Sequence, residues 1–160
     1  MTAPVSFTVE HHFHASPERV WDELVDWKGH ESWIPATRVD VGPGEPTDVG
    51  TEFVATTGIG PLALPDRMRV TSCEWDADAN AGRCEVEKLG PVLTGRAGFT
   101  VSPAEADGAD LVWFEEVQVR YAPSFVGPAL GRVGATGFRS AMKRLAKLLA
   151  QPSAANTRSG

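Results

Sequence analysis

Cysteine is scarce, tyrosine almost missing, and cations are outnumbered. The 160 residues include two cysteines and one tyrosine. Two cysteines cannot build a disulfide-stapled miniature fold or a four-cysteine zinc site. Lys and Arg total 15 against 21 Asp and Glu, a net charge of −6. No global basic field gathers phosphates, so nucleic acid is not an expected partner. No run approaches the ~20 apolar residues of a bilayer span. The opening MTAPVSFTVEHHF lacks the basic and continuously apolar segments of a secretory signal, and a cytoplasmic location is expected. Also missing are GxSxG, Walker, HExxH and CxxC patterns, and the glycines between 127 and 137 do not follow a strand-to-helix turn as a dinucleotide fingerprint would. No cofactor is expected.

What is present suits a globular domain: 42% apolar and 22% charged residues, too apolar for disorder. Val5, Phe7, Val9, His11 and Phe13 alternate with polar residues, the period of a half-buried strand. Ser16-Pro17-Glu18-Arg19 then supplies an N-cap, a proline at the first helical position and an acid in the first turn. The helix that follows should end near Lys28-Gly29, and a short helical turn is expected from Glu31 to Trp33. Six strands follow: 37–41, 51–57, 67–75, 83–88, 94–102 and 111–121, separated by glycine- and proline-bearing turns. Such short links favour an antiparallel meander. A long amphipathic helix from Ser124 or Pro128 to about Ala150 closes the chain. Gly127, Gly131, Gly134 and Gly137 in its first half each cost about 1 kcal/mol relative to alanine. That helix therefore starts late, or its backbone lies close to something. The periodicities add up to an α+β domain over residues 3–151, with a disordered tail over 152–160.

Several stretches resemble the polyketide cyclase/dehydrase and lipid-transport family of the SRPBCC (START-like) superfamily. They are Ala15 to Trp21, Trp27 with Trp33-Ile34-Pro35, Val49-Gly50-Thr51, and Asp107 to Trp113. The resemblance implies a helix-grip fold: a curved antiparallel sheet of about seven strands wrapped around the long C-terminal helix, with two short helices after the first strand. It implies a cavity for a hydrophobic small molecule, and leaves carrier, sensor and enzyme open.

Within that frame, His11 and Glu115 fall on apolar strand faces. In folds resembling this one the first and last strands pair, which would bring them within reach of each other as a general acid/base pair. The opposite face of the last strand is also partly apolar, so Glu116 could take the place of Glu115; a shift of one residue reverses every side chain. Trp33, Phe53, Met68, Trp113, Phe138 and Met142 are the expected cavity wall. Ile59, Leu62 and Leu64, with Tyr121 and Phe125, put apolar side chains into loops, as a cavity rim, core packing or a partner surface. His12 and His14 share a strand face, but two ligands are too few for a zinc site, and no metal is expected. Cys73 and Cys84 sit symmetrically about the turn Asp76 to Gly82, which places them opposite one another; free thiols are expected in a reducing compartment.

Three functions fit these residues. The first is a carrier or sensor of a lipid, polyketide or isoprenoid; the second, a cofactor-independent cyclase or dehydratase; the third, an interaction module docking through its apolar loops. A monomer or homodimer suits all of them.

Overall fold

The structure, a computed structural model, describes residues 1–151; the expected tail over 152–160 lies outside the described residues. Strand β1 (Thr2–Phe13) leads into helix α1 (Pro17–Val25) and a 3-10 segment, Lys28–Ser32. Strands β2 (Thr37–Val41), β3 (Glu52–Thr57), β4 (Leu64–Asp76), β5 (Ala81–Leu89), β6 (Leu93–Pro103) and β7 (Ala109–Arg120) follow, and helix α2 (Gly127–Leu149) completes the fold. The sheet is antiparallel throughout, in the order β1-β7-β6-β5-β4-β3-β2. The two short helical elements therefore carry the chain from one edge of the sheet to the other, and the meander walks back.

Local chemistry explains each element. The Arg19 backbone N–H donates to Ser16 Oγ at 3.3 Å, capping α1, and Pro17, Val20, Trp21 and Leu24 form its buried face. Glu31 joins the 3-10 segment to β2: one carboxylate oxygen accepts from Lys28 Nζ and from the Val39 N–H, both at 2.7 Å. Alternation along the strands sends Val9, Phe13, Leu111, Phe99, Val101 and Val70 into the core. The convex face carries exposed ion pairs such as Glu52–Arg69 and Glu116–Arg96, which contribute little to stability.

The expected α2 glycines have a structural cause. The helix begins at Gly127 and runs beside β1. A Cβ at Gly127 would strike the Pro4 carbonyl, one at Gly131 would meet the Ser6 carbonyl at 3.3 Å, and one at Gly134 would press on the Phe7 ring at 2.6 Å. These three positions let backbone lie on strand. Gly137 has open space before it.

Cys73 and Cys84 are directly opposite on β4 and β5. The register set at the hairpin, with Asp76 opposite Ala81, runs unbroken through this pair and shifts only beyond it, between Val70 and Ser72. The expectation of free thiols is corrected here, because the two sulfurs are joined as a cross-strand disulfide. Facing positions at matched register bring the two side chains together.

Candidate functional site

Between the concave face of the sheet and α2 lies a cavity of about 610 Å³. Its walls are mostly apolar and aromatic. Trp27 stacks on Phe53 with ring centres 4.4 Å apart, Phe99 stacks on Trp113 at 5.5 Å, and Trp113 meets Phe138 at 4.7 Å. Phe138 belongs to α2, which also lines the cavity with Leu130 and Ser140. Otherwise the helix presents only the small residues Gly134, Gly137 and Ala141, so the space arises where it carries little side-chain volume.

Of the expected wall residues, Phe53, Met68, Trp113, Phe138 and Leu64 line the cavity. Three do not. Trp33 is fully buried behind the wall, and His30, 4.5 Å from its ring, lines the cavity instead. Met142 is fully buried beyond the last lining residue of α2, Ala141. Leu62 is 86% exposed, because it sits in the single 3-10 turn Gly60–Leu62, where strand alternation no longer directs side chains. Ile59, Tyr121 and Phe125 are also exposed, so core packing is ruled out for these loop residues. They lie at the sheet end where β3 joins β4 and β7 leads to α2.

The expected His11–Glu115 pair does not form. The first and last strands do pair, but Glu115 is opposite Phe7 and His11 opposite Leu111. Four residues of strand, roughly 13 Å, separate the two. His11 is half-buried against Phe13, 4.6 Å between ring centres, away from the cavity lining. Burial lowers its pKa, helped by the charges of His12 and Lys143. Glu115 itself points inward and is 8% exposed, whereas Glu116 faces out to Arg96.

Glu115 has different company. Lys88 on β5 is 5% exposed, and its ammonium donates to Asp66 Oδ2 on β4 and lies 3.4 Å from Glu115 Oε2. Lys88 and Glu115 are two strands apart. They meet because β6 places only Gly95 and Ala97 between them, Gly95 paired with Lys88 and Ala97 with Glu115. Trp113 Nε1 donates to Glu115 Oε1 at 3.4 Å, and Met68 Sδ lies 3.9 Å from the ammonium. Asp66 Oδ1 has no protein partner.

Burial alone would lower the Lys88 pKa, but the charges of Glu115 and Asp66 outweigh it and hold the ammonium above its ordinary value. For Glu115 burial prevails: its pKa is raised against the pull of Lys88, with the charge of Asp66 pushing the same way as burial. His30, the other titratable residue of the wall outside this cluster, is neutral. Burial pushes its pKa down to about 4 against the opposing effects of the Leu24 carbonyl and Asp26, and Nε2 donates to that carbonyl at 2.8 Å.

Among the described residues no group of three or more His, Cys, Asp or Glu is arranged to hold a metal ion, and no helix is long and apolar enough to cross a membrane. His12 turns instead to Asp110, 2.8 Å away.

The sequence profile of the family described as "Polyketide cyclase / dehydrase and lipid transport" matches residues 4–151. The chain belongs to this family. Solved structures agree on the helix-grip fold of this SRPBCC, START-like member. TTHA0849 from Thermus thermophilus superposes with a TM-score of 0.66 at 17% identity, over 90% of this chain and 96% of that one. A STAR-related lipid transfer protein (fragment 25–204) from Xanthomonas axonopodis gives 0.65 at 20% identity, over 91% and 86%. Ara h 8.0201 gives 0.63 at 14% identity, over 92% and 98%. Among curated proteins no sequence matches.

Proposed function

We propose that this family member binds a hydrophobic small molecule, of lipid, polyketide or isoprenoid type, in the cavity between the sheet and α2, and acts as its carrier or sensor. The observation that carries this reading is a space of about 610 Å³ walled mainly by apolar and aromatic side chains. That volume lies within the range of small-molecule sites, where apolar walls supply affinity and a few polar groups orient the guest. The X. axonopodis lipid transfer protein of the same fold supports a lipid-like guest. A cyclase or dehydratase built on His11 and Glu115 loses its geometry, since no substrate atom could touch both groups across that distance.

Native mass spectrometry of gently purified protein, followed by solvent extraction, tests the reading. A stoichiometric apolar adduct lost on denaturation is expected. Apo protein that also fails to take up the neutral fluorophore N-phenyl-1-naphthylamine, or any member of a lipid, isoprenoid and polyketide panel, would overturn it.

A further inference from the structure

A cavity that served only to hold hydrocarbon would have no use for three ionisable side chains in its wall. Each buried charge loses hydration, and replacing such a group by an apolar one of similar size is often neutral or stabilising. Asp66, Lys88 and Glu115 nevertheless converge on one patch of the lining, from β4, β5 and β7.

The balance of charge in this patch selects what can sit against it. The Lys88 ammonium is already matched by Asp66, to which it donates directly. Glu115 stands off at 3.4 Å from that ammonium and 3.4 Å from the Trp113 N–H, long contacts on both oxygens. A ligand anion would add negative charge beside Asp66 with no free cation to meet it. A ligand cation would face Lys88. An uncharged oxygen escapes both costs: it can accept a hydrogen bond from the Lys88 ammonium and, when Glu115 carries a proton, a second one from that carboxyl.

We propose that the Asp66–Lys88–Glu115 patch is the polar subsite of the cavity, and that it selects guests whose polar group is an uncharged carbonyl oxygen over guests ending in a carboxylate or an ammonium. The proposal rests on the cavity being the binding site. Burial of Glu115, which favours its protonated form, supports it. Lys88 is held as an ammonium, so its part is to donate, not to attack the carbonyl.

The test is displacement of bound N-phenyl-1-naphthylamine by four chains of equal length: an alkane, a methyl ketone, a fatty-acid anion and an alkylammonium. The ketone should bind at least about tenfold more tightly than the two ions and than the alkane, which corresponds to one charge-assisted hydrogen bond. Glu115→Gln keeps an uncharged donor and should hold the ketone within about threefold, while Glu115→Leu should lose about tenfold. Thermal melts with and without fluorophore establish that each variant is folded. If Glu115→Leu does not fold, the ranking of the four chains on the unaltered protein still decides. An anion or ammonium that binds as well as the ketone, a ketone no better than the alkane, or undiminished ketone binding by Glu115→Leu would overturn the subsite and leave the cavity reading intact. Failure to bind the fluorophore at all would overturn both.

Discussion

The concave face has a filled end and a hollow end, built from the same sheet and the same helix. At the filled end the last turns of α2 bring Met142, Leu145 and Leu149 down to join Phe13 and Leu111 in the core, all 4% exposed or less. Trp21 of α1 closes this end against Phe99, with ring centres 5.6 Å apart. At the hollow end the same helix offers Gly134 and Gly137. Gly127, Gly131 and Gly134 hold its first turns against the edge strand β1, leaving the middle strands uncovered. The cavity follows from where side-chain volume is placed along one helix, not from a special sheet.

The largest expected effect tests the filled end. Leu145→Ala removes a fully buried side chain from close packing and should cost about 3–4 kcal/mol in a urea titration. Leu93→Ala, on the half-buried hollow wall, should cost only about 1 kcal/mol, because part of its surface already faces empty space. Equal losses would erase the distinction between the two ends.

A slightly smaller effect comes from His30. Its pKa falls from an ordinary 6.5 to about 4 in the folded protein, so the unfolded chain takes up the proton first. Stability is unaffected well above pH 6.5 and is lost as pH falls from there to 4, by about 3 kcal/mol for this shift. His30→Gln can keep a donor toward the Leu24 carbonyl but does not titrate. Its stability should therefore fall less steeply over that window, measured by denaturant titration at several pH values. Matching slopes in the two proteins would show that water reaches the imidazole, and that this wall is wetter than its burial indicates.

How legible these two ends were in the sequence depends on what fixes register. Strand positions followed from alternation, and the Cys73–Cys84 opposition followed from a tight hairpin, because a short turn determines which residues face each other. Strands β1 and β7 are joined by no hairpin. Alternation and the family resemblance imply that they pair, yet nothing local sets their offset, so His11 and Glu115, expected within reach of each other, stand opposite Leu111 and Phe7 instead. The polar patch does leave a signal in the sequence: Lys88 has the same parity as Cys84 and Val86, and Asp66 the same as Met68 and Val70, so each continues an apolar face. Trp33 and Leu62 lie outside regular strands, in segments where no period assigns a direction to the side chain. The glycines of α2 did announce a close approach. The sequence could not say that the partner was β1.

The smallest change in stability, and the sharpest on function, is expected from Gly137. A Cβ there meets nothing within 4 Å, and the residue lines the cavity. Gly137→Leu therefore adds volume to the hollow end without pressing on backbone, unlike a substitution at Gly127, where the Pro4 carbonyl is in the way. Replacing an interior helix glycine gains up to about 1 kcal/mol, so the melting temperature should hold or rise slightly. Uptake of N-phenyl-1-naphthylamine should fall by about tenfold or more, since a leucine side chain occupies space the fluorophore needs. A folded Gly137→Leu protein with unchanged uptake would place the guest elsewhere than between α2 and the sheet. Loss of stability with loss of uptake would mean that this turn of α2 also packs on strand, and the hollow end would shrink to the middle of the sheet.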